Sequence, residues 1–396
     1  MLSPASDSMT REERRAGASL AAIFGLRMLG LFLILPVFSV YAPTLAGGND
    51  VLMVGLALGA YGLTQAFFQI PYGMASDRFG RKPVIVVGLL LFAAGSFVAA
   101  TADDIYWVIA GRVIQGAGAI SAAVTALAAD LTREQHRTKI MAMIGSTIGL
   151  MFAVSLVIAP LLYTAVGMPG IFALTGILAL AAIVLLLKVV PAAPAIVVQG
   201  RAPFASVLFH GQLARLNFGV LALHIMQTAL WVVVPPMLVS AGLPAGEHWK
   251  IYLPSVLVSF AVMIPAIIAA EKYDRMKIIF VSAILLLFVV QLGLVVVSGG
   301  LYAIGFWLML FFVGFNIMEA LQPSMISRLA PAGAKGAALG IYNTTQSLGL
   351  FFGGAAGGWL LKHFGPSAVQ GFCAAIAGIW LLLALTMTAP ARKPST

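Results

Sequence analysis

The sequence predicts an all-α integral membrane protein of twelve transmembrane helices, arranged as two pseudo-symmetric six-helix bundles with a central cavity between them. Three observations lead there. The chain is 61% hydrophobic and only 9% charged, whereas a soluble domain carries about 25% charged residues. Apolar stretches near 20 residues or longer, the length that crosses a bilayer core, recur from end to end. The chain also repeats itself: Pro71, Asp77, Arg78, Phe79 and Arg81 are matched 194 residues later by Pro265, Glu271, Lys272, Tyr273 and Arg275. The same shift lays Phe24-Gly25 on Phe218-Gly219, and one shift serving two separate sites indicates duplication.

Taken in order, the first span is read over 17 to 44, behind a cytoplasmic tail over 1–16 that carries Arg11, Arg14 and Arg15. Its apolar run is far longer than a signal-peptide core, so it is read as a retained helix. Spans two and three, over 52 to 75 and 83 to 101, are joined by the short polar segment Gly73 to Pro83. There Gly73 permits close helix contact, Gly80 serves the turn and Pro83 suits the first turn of the next helix. Asp103 and Asp104 are placed to cap the fourth span, 105 to 130. Spans five and six, over 138 to 164 and 168 to 189, complete an N-terminal bundle over 17–189. A cytoplasmic linker rich in Pro and Ala follows over 190–211. The C-terminal bundle, 212–389, holds spans over 212 to 241, 247 to 270, 277 to 298, 301 to 329, 336 to 362 and 367 to 389, and a cytoplasmic tail is read over 390–396. The 41 glycines and 20 prolines are scattered through these runs, which membrane helices tolerate. The ten-residue alternation of a β-barrel is missing.

A net charge of +10 raises the question of nucleic acid, but the position of the cations answers it. Most of the 23 lysines and arginines fall in the tails and in alternate connections, among them Arg78, Arg81, Lys82, Arg133, Arg137, Lys139, Lys188, Lys272, Arg275, Arg328 and Lys335. The positive-inside rule then expects both termini in the cytoplasm, with the lipid bilayer as partner and no nucleic acid. The single cysteine, Cys373, offers no disulfide or metal framework.

Two constellations carry chemistry. Asp77 lies near a helix C-terminus, where the macrodipole disfavours an anion, so it should have cationic company, and Arg81 is four residues on. An exposed pair contributes only tenths of a kcal/mol, so a conformational latch built from Gly73, Asp77, Arg78, Gly80, Arg81 and Lys82 explains it better than stability does. Deep within the spans lie Arg27, Arg112, His224 and Glu319. Each charged insertion costs roughly 2.5–3.5 kcal/mol on translocon scales, so such residues usually face a cavity. The structural alternatives are arginines bound to backbone carbonyls and a packing histidine. Glu319 fits such an alternative least, because a carboxyl there needs a permanent cation or a proton, and proton coupling requires a group of that kind. Trp107, Trp231 and Trp359 read as interfacial anchors, although Trp231 and Gln227 could instead face a solute, as could Asn316, Asn343 and Gln346. The glycines at 353–354 and 357–358 read as a close helix contact and not a phosphate loop.

Pro71-Tyr-Gly73-Met-Ala-Ser-Asp77-Arg78-Phe-Gly80-Arg81-Lys82 resembles the signature loop of the major facilitator superfamily. Arg112-Val-Ile-Gln115-Gly116-Ala-Gly118-Ala119 resembles the fourth-helix motif of its proton-coupled exporters. The resemblance covers about 15 to 390 and is greatest to the drug:proton antiporter branch, in particular its YajR-type bacterial members, through Leu26-Arg27-Met-Leu-Gly30, Phe315-Asn-Ile-Met-Glu319-Ala-Leu-Gln-Pro323 and Gly340-Ile-Tyr-Asn-Thr-Thr-Gln346. It implies a monomeric rocker-switch exporter that needs no cofactor and draws on the proton gradient to move small amphiphilic or drug-like solutes. It also implies that Asp77, Arg81 and Asp130 form a cytoplasmic charge cluster that docks on the start of span eleven in the outward-open state, and that the helices carrying Arg27, Arg112, His224 and Glu319 line the cavity.

The sequence departs from that pattern in two places. The fifth-span antiporter motif has Gly-Pro followed by two glycines, where this chain has Ala159-Pro160-Leu-Leu-Tyr163, although Gly145, Gly149 and Pro160 remain. YajR-type members carry an added C-terminal soluble domain, and none is expected here. A sugar or metabolite efflux carrier of the same fold is the alternative within transport. A non-transporting membrane sensor or scaffold would need neither the motifs nor the buried ionisable groups. No enzyme is expected, since no span holds His-Glu-x-x-His, Gly-x-Ser-x-Gly or paired catalytic aspartates.

Overall fold

A computed structural model describes residues 8–191, 207–208, 210–273, 275–296, 300–331 and 334–388. Residues 192–206 and 209 of the expected linker, and the whole of the expected tail over 390–396, lie outside the described residues. Helix α1 spans Arg11–Tyr41, α2 Val51–Phe79, α3 Arg81–Ala100, α4 Ile105–Ala117, α5 Ser121–Asp130 and α6 Glu134–Lys188. The second bundle holds α7 over Gly211–Ser240, α8 Trp249–Lys272, α9 Met276–Val296, α10 Leu301–Leu329, α11 Lys335–Phe364 and α12 Pro366–Leu385. Among the described residues the only β pairing is an isolated bridge between Ala46 and Asp104.

Local sequence sets the helix ends. Thr10 and Glu13 form a reciprocal capping box, which starts α1 several residues ahead of its apolar run. Asp50 caps α2 through the Leu52 amide, and Asp104 caps α4 through that of Trp107. Of the expected acidic pair it is Asp104 that caps, while Asp103 contributes its carbonyl to the Ala46 amide. Gly80 turns α2 into α3 at φ 93°, a left-handed value that suits glycine.

One expected span departs from a single straight helix: the fourth is broken between α4 and α5, where Gly118 takes φ −80° and ψ 47°. Spans five and six are two helices, as expected, and the label α6 covers both across the turn at Gly167, which takes φ 65° and ψ −178°. Gly365 turns α11 into α12 at φ 82° and ψ 179°, so the two glycines are counterparts in the duplicated halves. Among the described residues ten segments are long and apolar enough to cross a bilayer. The one through α6 has 54 residues, and Gly167 divides it into two helices, each long enough for a core of about 30 Å. Counting α6 twice and admitting glycine-rich α11 reaches twelve crossings, where length and composition alone reach ten.

The two bundles close on each other in only one half of their depth. The faces are named here by the lysine and arginine bias, the inner face being the expected cytoplasmic one. In the outer half α2 packs on α11 backbone to backbone: a Cβ on Gly55 would stand 2.1 Å from the Gly354 carbonyl oxygen, and one on Gly62 would stand 2.4 Å from that of Ser347. The Ser39 hydroxyl donates to the Trp231 carbonyl across the same interface, and Lys362 Nζ reaches Asp50 Oδ2 at 2.7 Å. In the inner half a Cβ on Gly145 or Gly149 of α6, or on Gly336 or Gly340 of α11, would meet nothing within 4 Å. The described side-chain hydrogen bonds that cross between bundles all lie in the outer half. The arrangement is closed outside and splayed inside.

Candidate functional site

Helices α7, α10 and α11 bring His224, Glu319 and Gln346 together. His224 is 4% exposed, and its Nδ1 lies 3.0 Å from the Val220 carbonyl one turn back. Its Nε2 lies 2.7 Å from Gln346 Nε2 and 3.4 Å from Glu319 Oε1. The Glu319 side chain keeps 32% exposure, yet its Oε1 is buried without a hydrogen-bond partner. The hydroxyl of Tyr342, one turn from Gln346 on α11, is likewise buried and unpartnered. A carboxyl beside an imidazole can hold or release a proton between them. Just outward, aromatic rings span the two bundles. Phe152 of α6 contacts Phe312 and Phe315 of α10 with centroids 6.0 and 5.8 Å away, and Phe315 meets the His224 ring at 6.1 Å.

Arg27 and Arg112 are placed elsewhere. Arg27 is fully buried and donates through Nη2 to the Tyr61 hydroxyl at 2.7 Å and the Gly118 carbonyl at 3.3 Å. The break between α4 and α5 exposes that carbonyl. Arg112 donates to Gln115 Oε1 at 2.7 Å and to the Ala57 carbonyl at 3.3 Å, and Gln115 passes the contact on to the Ser96 hydroxyl. Both guanidinium groups lie over the Tyr61 ring, at 5.9 and 5.0 Å. No ion pair to either arginine occurs among the described residues. The structure therefore joins His224 to Glu319 and holds the two arginines within the N-terminal bundle. Sequence reasoning missed Tyr61 and Gln65, whose Oε1 accepts from Arg27 at 3.5 Å. A search of span two for polar residues at helical spacing would have found them.

The fourth-helix glycines have a packing role. A Cβ on Gly116 would stand 2.2 Å from the Tyr61 carbonyl oxygen, and one on Gly118 would stand 2.3 Å from that of Gly88. Gly73 is under less pressure, its nearest neighbour for a Cβ being Ala122 at 3.5 Å. Pro160 sits inside α6. Of the other candidate contacts, Asn316 is tied to the Ser259 hydroxyl at 2.7 Å. The Asn343 carbonyl accepts from Ser347, and Gln227 lies buried one turn outward of His224. Trp231 is fully buried against Tyr252 and Phe312, whereas Trp107 and Trp359 are exposed. Trp231 is thus a packing residue, and burial places it away from a lipid interface.

On the inner face Arg81 donates to Asp77, to Asp130 Oδ2 at 2.8 Å and to the Ser76 hydroxyl at 2.8 Å. Arg78 stacks over Phe79, and Lys82 Nζ donates to the Val190 carbonyl at 2.7 Å. Beside this cluster Arg133 grips Glu13 through its amide and guanidinium, fixing α1 to the connection after Asp130. The second bundle has a counterpart of reversed polarity, Glu271 at the end of α8 with Arg328 at the end of α10, 3.2 Å apart. Arg328 stood in the sequence as one more inner-face cation, and its pairing needed the fold.

The sequence profile described as Major Facilitator Superfamily matches residues 20–351. The chain belongs to the major facilitator superfamily. Among curated members of the superfamily it is 46% identical to the inner membrane transport protein YajR of Escherichia coli K12, over 96% of this chain and 85% of that one. It is 30% identical to the multidrug resistance protein MdtH of Aeromonas hydrophila, over 88% of this chain and 87% of that one. The fold is shared with a solved D-xylose-proton symporter at a TM-score of 0.74 and 15% identity, covering 94% of this chain and 98% of that one. A bacterial homologue of the human lysosomal transporter Spinster, solved inward-facing and unoccupied, gives 0.73 and 13%, covering 98% and 100%. The superfamily is one of membrane transporters, and this chain is a membrane transporter.

Proposed function

We propose that this transporter exports small amphiphilic or drug-like solutes across a bacterial inner membrane in exchange for protons, by alternating access of the space between its bundles. The observation that carries the reading is the His224–Glu319 pair, deep in the molecule and partly exposed, on helices that face the opposite bundle. Such a carboxyl is retained against a cost of several kcal/mol, which a proton-binding role explains. Relatives named for multidrug resistance supply the solute class. Arg27 and Arg112 enter as fixed charges in the facing bundle, and Asp77, Arg81 and Asp130 as the inner-face latch, with the proton gradient as the sole energy source. Glu319 carries the proton, and a solute leaves as the proton enters.

The experiment is substrate-driven proton release from vesicles holding the purified protein, with solutes first chosen by thermal stabilisation across drugs, sugars and metabolites. Wild type should release protons, and Glu319→Gln should bind solute without releasing them. Full proton movement in Glu319→Gln would remove Glu319 as carrier, and solute flux without proton release in wild type would leave uncoupled efflux.

A further inference from the structure

The hydrogen-bond geometry at His224 assigns a role to Gln346. A carbonyl oxygen can only accept, so the 3.0 Å contact with Val220 requires a hydrogen on His224 Nδ1. Neutral His224 therefore presents a bare Nε2 with a single in-plane lone pair. Two groups approach that atom, the Gln346 amide at 2.7 Å and the Glu319 carboxylate at 3.4 Å. An amide nitrogen donates and satisfies a bare Nε2, whereas an ionised carboxylate only accepts and cannot. One proton added at Nε2 reverses the match: the nitrogen becomes a donor, the carboxylate becomes its partner, and the amide nitrogen faces another N–H. Gln346 and Glu319 thus compete for one atom, and the proton decides which holds it.

The two competitors sit on different helices. Glu319 belongs to α10, which meets the first bundle through the Phe312 and Phe315 rings, whereas Gln346 belongs to α11, whose outer half is pressed backbone to backbone on α2. Immediately outward of Gln346, Gly349 and Gly353 pack on the α7 backbone at Leu221 and Ile225, so α11 is fixed there. Inward of it, the face that carries Gly336 and Gly340 meets nothing, while Ala338, Ile341 and Tyr342 keep the other face buried in the second bundle. Gln346 is therefore a side-chain tie to α7 at the edge between a segment packed on both bundles and one with an open face. The other titratable groups around His224 are few. Tyr342 lies on α11, Arg27 of α1 is turned to Tyr61 and Gly118, and α12 offers Cys373 nearer its outer end.

We propose that Gln346 is a proton-dependent tie between α11 and α7: it holds neutral His224, and a proton added to the His224–Glu319 pair moves that nitrogen to the carboxylate and frees the inner segment of α11. Gln346 is on this account a positioning residue. The proposal rests on the reading that the pair takes up a proton.

The test uses the full chain in lipid with spin labels at Gly211→Cys and Gly336→Cys on a Cys373→Ser background, the inner ends of α7 and α11. With Gln346 present, the distance between labels shifts as the buffer goes from about pH 8 to about pH 5, where histidine titrates. In Gln346→Met, which keeps the length but has no amide, the shift is lost and the distance stays at the acid value throughout. Gln346→Ala should behave the same way if both fold. Histidine-specific nitrogen spectra separate the two levels of the argument. A His224 ring that titrates while Gln346→Met keeps the full distance shift overturns the tie and leaves proton coupling standing. A His224 ring with no titration in either protein also overturns the tie, since no proton then reaches Nε2, and the coupling reading beneath it fails separately if wild-type vesicles release no protons.

Discussion

Arg81 holds Asp77, Asp130 and the Ser76 hydroxyl together, and its side chain is only 8% exposed. All three partners belong to its own bundle, so in this inner-splayed state the cluster makes no described bond to α11. Arg81→Ala or Asp77→Asn should leave the protein inserted and folded but slow transport, with the populations of the two access states changed. Labelling of cysteines on each face reads those populations, and unchanged labelling with normal flux would remove the latch. The buried arginines belong to a different class. Arg112→Ala strips partners from the Gln115 side chain and the Ala57 carbonyl, and should lower thermal stability by about 2–4 kcal/mol, seen as a reduced melting temperature in detergent. Wild-type melting in that variant would mean that the contacts to Gln115 and Ala57 contribute nothing to the fold. The depth of Arg27 and Arg112 was legible from the span map. Their partners were not, because a carbonyl freed by the break at Gly118 leaves no mark in hydropathy.

Helices α2 and α11 meet through glycines so closely that almost any side chain would part them. Gly55→Ala places a Cβ 2.1 Å from a backbone oxygen of Gly354, and a main-chain atom cannot swing away as a side chain can. Overpacking of this kind costs about 1–3 kcal/mol. Because the cost falls only on the outer-closed state, the outer-open population should rise roughly 5- to 150-fold. Distances between labels on the outer ends of α2 and α11 would measure this, with Gly340→Ala as the silent companion since its Cβ meets nothing within 4 Å. The run of glycines over 353–358 could be read from sequence as a close helix contact. Its partner on α2 could not be, since a period of glycines states that something approaches without saying what. The turn within α6 was legible: the spans read over 138 to 164 and 168 to 189 leave Gly167 between them, where the chain turns.

At the scale of the whole molecule, the outer face is fastened by a pair that joins the bundles, Asp50 with Lys362. The Lys362 ammonium lowers the Asp50 carboxyl below its ordinary value. A lowered acid contributes closure that is complete above the ordinary aspartate range and is lost as the pH falls through the lowered value. Asp50→Asn is the informative variant, because an asparagine can still cap α2 while the ion pair is gone. An exposed pair is worth about 0.2–1 kcal/mol, so the outer-open population should rise by no more than about fivefold, and the difference from wild type should vanish in high salt. A difference that survives high salt would place the effect in the helix cap.

Two inner-face clusters are paired within their own bundles, Arg81 with Asp77 and Asp130 on one side and Glu271 with Arg328 on the other. In electrical terms these groups sit at the inner membrane surface, so rocking does not carry them through the membrane field. One elementary charge moved through 100 mV corresponds to about 2.3 kcal/mol, so such a charge would make the empty carrier's motion depend steeply on voltage. Charges held at the surface avoid that. The membrane potential then acts on the proton and on whatever charge the solute brings, and a voltage step applied to the empty carrier should give almost no transient current. A large transient would mean that Arg27 or Arg112 travels with its bundle through a substantial part of the field.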